Sequence, residues 1–230
     1  MTGRLFDGLE LAPIGSRIDD LETPVPLIDL AIVERNLRRW QERCDRAHFA
    51  SRPHIKTHKL PGLAQAQITL GARGICVQKL GEAEVMADAG ISDMLLTFNV
   101  VGAGKLARLA ALAQRTAIAV VADSEAVAEG IAAAGAAAGR PIRVLVECDA
   151  GAGRNGVQTP AAAAELGLAI ARQRTLRFGG LMAYTKPGLR ADIAAFMGEA
   201  RHLCERAGLT VETVSTGGTP EMWQDAGLEG

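Results

Sequence analysis

The segment RPHIKTHK, residues 52–59, carries the side chains best suited to covalent chemistry. In a β-strand successive side chains alternate between two faces, so His54, Lys56 and His58 would share one side. Positive groups that crowd together, or that lose contact with water, release protons more readily, and a neutral lysine amine can form a Schiff base. The segment therefore predicts a reactive lysine, Lys56, and the alternative is the basic edge of a surface strand.

The segment STGGTP, residues 215–220, has the composition of an anion site. Its glycines leave consecutive backbone N–H groups unobstructed, and Ser215, Thr216 and Thr219 add hydroxyls. An ordinary βα turn has the same composition, so this segment alone leaves both interpretations open. Together with Lys56 it meets two requirements for holding pyridoxal phosphate, an amine for the aldehyde and a cradle for the phosphate.

The segment GAGRNG, residues 151–156, matches the letters of a dinucleotide-binding fingerprint but not its context. That fingerprint opens a helix within its glycines and has an acidic residue about 20 positions later. Here Pro160 marks a later helix start, and the region near Arg174 is basic. The segment instead favours a flexible loop that turns Arg154 toward the ends of the strands, with a glycine-rich surface turn as the simpler alternative.

Polar residues also follow several apolar runs, at the edge where chemistry gathers in parallel sheets and barrels. They are Gln78, Asn99, Asp123, Asp149 and Tyr184. Tyr184 is the single tyrosine of the chain, and a phenol at the end of a strand can reach a cofactor ring, although a core position is the default for tyrosine. We interpret His202 and Cys204 as structural, and His48 as a surface residue at the end of a helix.

Apolar runs typical of strands alternate with amphipathic or alanine-rich runs typical of helices. The strand candidates are residues 24–30, 52–58, 74–78, 93–99, 117–123, 142–149, 178–184 and 210–218. The helix candidates are residues 31–47, 60–71, 81–90, 104–115, 124–139, 160–173 and 191–208. This alternation predicts an α/β protein with a parallel sheet, and eight strands favour a (β/α)8 TIM-like barrel over a doubly wound open sheet.

Composition and charge exclude several classes of protein. The net charge is −1, from 25 basic and 26 acidic residues without a basic block, so nucleic acid is not an expected partner. The 4 cysteines occur singly, which suits a reducing compartment and argues against a zinc cluster or a disulfide framework. The first residues lack the apolar core of a signal peptide, and no apolar run approaches the roughly 18 residues of a membrane span. We expect a cytoplasmic protein without a membrane partner.

These segments together resemble the D-threonine aldolase and D-serine dehydratase family of pyridoxal-phosphate enzymes, whose N-terminal domain is similar to that of alanine racemase. The matching segments run in family order from Glu22: ETPVPLIDL with Asn36 after it, RPHIKTHK, GICVQKLGEAEVMADAG, VLVECDAGAGRNGV, GGLMAYT and VSTGGTPEMW. RPHxKTHK combined with GEAE and GGTP is far more specific than any single motif. The resemblance implies pyridoxal 5'-phosphate as cofactor and a small D-amino acid as substrate.

The resemblance also implies roles for individual residues. Lys56 would form the Schiff base with the cofactor and later move protons at the α-carbon of the substrate, with His54 and Gln78 at the cofactor. Arg154 would lie near the phenolic oxygen of the cofactor, and Tyr184 would face its pyridine ring. The phosphate would be held by Thr216, Gly217, Gly218 and Thr219. After Tyr184 the sequence AYTKPG departs from the glycine- and histidine-bearing continuation of many relatives.

The implied reaction is retro-aldol cleavage of a D-3-hydroxy amino acid to glycine and an aldehyde, as in D-threonine aldolase. Elimination of the D-serine dehydratase type uses the same residues and stays an alternative. Two further alternatives are an amino-acid racemase, which needs a second acid/base residue on the opposite face of the substrate, and a non-catalytic carrier of pyridoxal phosphate, which has nearly this length.

The expected domain organisation is a lead over residues 1–21 and an alanine racemase-like barrel over residues 22–230. Family members carry a further C-terminal β domain that supplies ligands for a divalent metal (Mn, Mg or Zn), and this chain ends at Gly230. The barrel would then lack its last strand, and the chain would be a fragment, an inactive relative, or a site that a partner completes. An open barrel exposes apolar surface at its missing strand and predicts association or insolubility, and a homodimer is one assembly to expect.

Overall fold

The structure, a computed structural model, describes residues 5–6 and 15–223. Within these residues, no helix has the length and apolar character needed to cross a bilayer. The four cysteines, Cys44, Cys76, Cys148 and Cys204, are all buried, and none of them forms a disulfide. The separate spacing of the cysteines in the sequence predicts this.

Helices and strands alternate along the described chain. In order they are α1 (Leu30–Arg46), α2 (Pro61–Thr69), β1 (Ile75–Val77), α3 (Leu80–Asp88), β2 (Asp93–Leu96), α4 (Ala103–Arg115), β3 (Ala117–Ala122), α5 (Glu125–Ala138), β4 (Ile142–Cys148), α6 (Pro160–Arg172), β5 (Leu176–Ala183), α7 (Arg190–Arg206) and β6 (Thr213–Ser215). Short 3-10 helices occur at Ile18–Asp20 and Thr219–Glu221. The predicted helices are confirmed, and α6 begins at Pro160, where the Thr159 side chain accepts the N–H of Ala162 at 3.1 Å.

The strands form one sheet in chain order, from β1 to β6, and the pairs from β2 to β6 are parallel. A doubly wound sheet reverses its strand order at a switch point. The order here does not reverse along the described strands, so the sheet has the order of a barrel wall. This observation favours the predicted barrel over the open-sheet alternative.

The prediction of a first strand at residues 24–30 is wrong. Residues 24–29 run without regular structure up to α1. Pro24 and Pro26 have no N–H to donate to a strand ladder. The side chains of Val25 and Leu27 are 44% and 60% exposed, so the apolar character of this run is not used to fill the core in the described structure.

The second predicted strand, residues 52–58, is reduced to a single parallel bridge between His54 and Cys76. Ile55 donates its N–H to the carbonyl of Cys76 at 3.0 Å, and Cys76 donates to the carbonyl of Pro53 at 2.8 Å. The chain then turns away from β1 at Lys56. The predicted alternation of faces through this segment is therefore wrong.

Residues 1–76 form one compact unit. Its described core contains the buried residues Phe6, Leu63 and Ala66, against which α1 packs Leu30, Val33 and Leu37. The indole of Trp40 donates to the hydroxyl of Ser51 at 3.0 Å, and Arg73 donates its N–H to the Ser51 carbonyl at 2.9 Å. These bonds fix the chain that leads from α1 toward Lys56.

Residues 77–230 form the second unit. Its strands β3 and β4 are buried on both faces, as expected of parallel strands that lie between helices and a filled interior. The predicted lead over residues 1–21 and barrel domain over residues 22–230 are a different division of the chain and stay a prediction.

Candidate active site

Lys56 lies on a turn, at the point where the first unit leaves its bridge to β1. The Lys59 N–H donates to the Ile55 carbonyl at 2.8 Å, and Lys59 itself has a left-handed backbone with φ of 55°. Ile55 is fully buried, whereas Lys56 and Thr57 are exposed. The buried isoleucine anchors the turn, so the accessible Lys56 amine extends from a fixed backbone.

His54 and His58 are held by the backbone in the same way. Nδ1 of His54 accepts the N–H of Lys56 at 3.3 Å, and Nδ1 of His58 accepts the N–H of Leu60 at 3.0 Å. Burial lowers the pKa of His58, and contacts with Gln67 and Leu60 oppose that effect only partly. The histidine rings therefore shape the turn around Lys56 through their hydrogen bonds with the backbone.

The glycine-rich loop after β4 is tied back to the strand by Asp149. This residue is 7% exposed, and its two carboxylate oxygens accept the N–H groups of Gly153 and Arg154, each at 3.0 Å. Burial alone would raise the pKa of Asp149, but these bonds, with one from Gln158, hold that pKa below its usual range. The predicted flexible loop is thus held by a charged anchor, which fixes the backbone of Arg154.

Arg154 and Tyr184 meet at the carboxyl ends of β4 and β5. The guanidinium carbon of Arg154 lies 4.8 Å from the centroid of the Tyr184 ring, within the range of a cation–π contact. The ring keeps 38% of its surface exposed. The sequence predicts both residues at this edge, and the structure places them in contact.

The segment after β6 contains two glycines that are favoured for different reasons. Gly217 has φ of 125°, and a Cβ built there would have no heavy atom within 4 Å, so the backbone conformation alone favours glycine. Gly218 has extended backbone with φ of −165°, but a Cβ there would lie 3.0 Å from Oγ1 of Thr185. Thr216 is half-buried and Thr219 is exposed at the start of the second 3-10 helix. The predicted phosphate loop is therefore a bare stretch of backbone that lies against the end of β5.

Gln78 follows β1, as predicted, and lies at the start of α3. Its backbone N–H donates to the Glu82 carboxylate at 2.8 Å, which satisfies a donor that the helix start would otherwise leave unmade. Its predicted contact with a cofactor stays a prediction.

Glu147 is a buried acid that the sequence analysis did not predict as a site residue. It is the penultimate residue of β4 and is 2% exposed. Burial raises the pKa of Glu147 to about 7; Asp123 and Asp149 add to the rise, and Asn155 and Arg154 oppose it. In the sequence, the one indication of a buried acid at this position is the single glutamate within the apolar run IRVLVEC.

Asn155 and Thr185 were also not predicted as individual site residues. The buried hydroxyl of Thr185 lacks a hydrogen-bond partner among the described residues, and the Asn155 side chain favours the charged form of Glu147. Each directly follows a residue that the sequence singles out, Arg154 or Tyr184. In the second unit the structure thus gathers Arg154, Tyr184, Thr185 and Gly218, whereas Lys56 and His54 lie in the first unit.

Known proteins match this chain over most of its length. D-threonine aldolase from Arthrobacter sp is 38% identical over an alignment of 245 positions that covers 98% of this chain and 63% of that protein. D-threo-3-hydroxyaspartate dehydratase from Delftia sp. strain HT23 is 33% identical over 227 positions, which cover 91% of this chain and 58% of that protein. The chain spans about three fifths of the length of these relatives.

Solved structures share its fold. The crystal structure of D-threonine aldolase from Filomicrobium marinum superposes with a TM-score of 0.86 at 37% identity, over 89% of this chain and 58% of that one. The predicted TIM-like α/β class is confirmed. The model of the family described as "Alanine racemase, N-terminal domain" matches residues 28–226. The chain belongs to the alanine racemase N-terminal domain family.

Proposed function

We propose that this chain binds pyridoxal phosphate and is a lyase that cleaves D-3-hydroxy amino acids, with D-threonine as the first substrate to test. The observation that carries the proposal is the similarity to a D-threonine aldolase over 98% of the chain. Pyridoxal phosphate is the cofactor expected of this family. Because the similarity covers only part of a longer enzyme, it supports cofactor binding more strongly than the complete reaction.

The described residues fit the cofactor. An aldehyde needs an accessible amine on a fixed backbone, and Lys56 supplies one. A phosphate needs bare backbone and hydroxyl donors, and Gly218 lies beside the buried Thr185 hydroxyl, directly after Gly217. We assign Lys56 to covalent attachment, with His54 and Gln78 at the cofactor, Arg154 and Tyr184 to the ring, and Thr216, Gly217, Gly218 and Thr219 to the phosphate.

The cofactor, when bound, supplies an electron sink for negative charge at the α-carbon. In the cleavage a base takes the proton of the β-hydroxyl, the bond between Cα and Cβ breaks with its electron pair left on Cα, and the aldehyde leaves. The α-carbon then takes up a proton to give glycine, and we assign that proton transfer to the Lys56 amine. The Asp149 anchor keeps Arg154 in place during this change, because the loop that carries it cannot relax without losing charged hydrogen bonds.

A divalent metal is expected of aldolases of this kind. Within the described residues, no group of three or more His, Cys, Asp or Glu side chains is placed to hold an ion. The described residues therefore do not fit a metal centre, and the proposed steps do not involve a metal ion.

The test of the function is product analysis with D-threonine in the presence of pyridoxal phosphate and Mn²⁺. We expect acetaldehyde and glycine in equal amounts, none from L-threonine, and none from K56A. K59A, which changes the other lysine of the same turn, is the matched control and should keep the activity. Ammonia and 2-oxobutanoate without acetaldehyde would contradict the aldolase assignment.

The second candidate is dehydration of a D-3-hydroxy amino acid, which the similarity to the Delftia dehydratase favours. D-threo-3-hydroxyaspartate separates the two reactions. An aldolase converts it to glyoxylate and glycine, whereas a dehydratase converts it to oxaloacetate and ammonia.

We further propose a cytoplasmic homodimer as the working form. The separate buried cysteines suit a reducing compartment. Analytical ultracentrifugation should give twice the mass of the chain, 24.1 kDa, and a stable monomer would contradict the dimer.

A further inference from the structure

Thr185 has a buried hydroxyl that the interior of the fold does not use. It directly follows Tyr184 at the carboxyl end of β5, and its Oγ1 has no hydrogen-bond partner among the described residues. A buried hydroxyl left without a partner destabilises the structure, so native proteins rarely keep one without a reason. A ligand that accepts a hydrogen bond would supply such a reason.

Other threonine hydroxyls inside this protein have hydrogen-bond acceptors. Thr97 donates to the Val77 carbonyl at 3.2 Å, and Thr116 donates to the Leu112 carbonyl at 2.9 Å. The half-buried Thr175 donates to the Ala132 carbonyl at 2.8 Å. Thr185 differs from these because it lies at the candidate site.

The position of Thr185 indicates what its ligand would be. A Cβ built on Gly218 would lie 3.0 Å from Thr185 Oγ1 and 3.2 Å from the Thr185 carbonyl oxygen. Because Gly218 has extended backbone, the tight space beside Thr185, and not its φ angle, is what favours glycine there. The hydroxyl therefore lies directly against the bare backbone of the Gly217–Gly218 loop.

We propose that the Thr185 hydroxyl donates a hydrogen bond to the phosphate of pyridoxal phosphate bound on the Gly217–Gly218 loop. The inference rests on the proposed function and adds a phosphate ligand from β5 to those expected after β6. A hydroxyl is a donor, an anionic oxygen is its strongest acceptor, and the loop beside it has the composition of an anion nest. Thr185 is then a binding residue and takes no proton in the reaction.

The test compares two probes that differ only in the phosphate. T185V keeps the shape of the side chain and removes the hydroxyl, and T185S keeps the hydroxyl. We expect T185V to weaken pyridoxal phosphate binding by about tenfold or more and to leave pyridoxal binding within about twofold. T185S should bind both probes nearly as the unsubstituted chain does. Equal losses for both probes, or no loss for either, would overturn the inference.

Thermal unfolding distinguishes a ligand hydroxyl from a structural one. Without cofactor, T185V should unfold at the same temperature as the unsubstituted chain or higher, because it removes an unmet polar group. With pyridoxal phosphate, its stabilisation should be smaller. A T185V chain that is less stable without cofactor and equally stabilised by it would show a structural role and overturn the inference.

Inorganic phosphate, followed by ³¹P NMR, separates this inference from the proposed function. If the unsubstituted chain binds neither pyridoxal phosphate nor phosphate, both are wrong. If it binds pyridoxal phosphate and T185V binds it equally well, only the role of Thr185 is wrong. Binding of phosphate that T185V loses, in a chain that does not bind pyridoxal phosphate, would support the anion site and overturn the cofactor assignment.

Discussion

Glu147 shows how the fold changes the chemistry of one side chain. It lies on β4, only 2% exposed, two residues before the Asp149 anchor. Its carboxyl group is largely desolvated, so burial raises its pKa to about 7, although Asn155 and Arg154 favour the charged form. The acid is thus half protonated near neutral pH, and the folded state binds a proton that the unfolded chain has released.

The stability of the protein should therefore fall as the pH rises through this range. The pKa of Glu147 in the folded protein lies above its usual value of 4.5. The contribution of Glu147 to folding stability is therefore fully present below pH 4.5 and is lost as the pH rises toward 7. The shift corresponds to roughly 3 kcal/mol. E147Q mimics the protonated acid, so its stability should not depend on this ionisation. Between pH 5 and pH 8 the free energy of unfolding in urea should therefore rise for E147Q relative to the unsubstituted chain, by about the same amount. The control E165Q removes an exposed carboxylate from α6. Parallel pH curves for E147Q and the unsubstituted chain would contradict the account.

Strands β5 and β6 position the predicted phosphate loop, and one glycine permits their close approach. Gly180 has φ of 123°, and a Cβ built there would collide with the backbone carbonyl of Thr213 on β6. The pairing of β4 with β5 shifts register between Val144 and Leu145, and Leu145 pairs with Gly180. The end of β6, which leads into Gly217 and Gly218, therefore depends on a residue in the middle of β5.

A pair of glycine substitutions separates this contact from backbone strain. G188A changes a glycine with φ of 85° and open space around it, and should cost about 1–2 kcal/mol from the left-handed backbone alone. G180A meets both the strain and the collision, and should cost about 3 kcal/mol or more. Urea unfolding measures both. G180A should also weaken pyridoxal phosphate binding more than G188A does. Equal effects of the two substitutions would contradict the role of Gly180.

Most of the fold of the described residues could be predicted from the sequence, because buried parallel strands are continuous apolar runs that helices separate. All six observed strands and the helix start at Pro160 follow from that pattern. The irregular structure of residues 24–29 does not follow from that pattern, because Pro24 and Pro26 remove hydrogen-bond donors for a strand ladder from an otherwise apolar run. Residues 52–58 did not, because the rings of His54 and His58 bind the local backbone and favour a turn over a ladder.

The candidate site was predictable where residue type and position along the chain agree. Arg154, Tyr184 and Gly218 follow strand ends and lie at that edge in the structure. Glu147 and Thr185 were missed because their importance comes from burial and from unmet hydrogen bonds, which depend on neighbours distant in sequence. Composition alone does not report such contacts.

The most direct test of the account is where pyridoxal phosphate attaches to the protein. The full chain is titrated with pyridoxal phosphate, the visible absorbance is followed, and the complex is reduced with borohydride and digested for peptide mapping. We expect saturable binding with the cofactor on Lys56, no visible band in K56A, and unchanged labelling in K59A. Labelling of Lys59 or other lysines, or a band that persists in K56A, would contradict the central assignment.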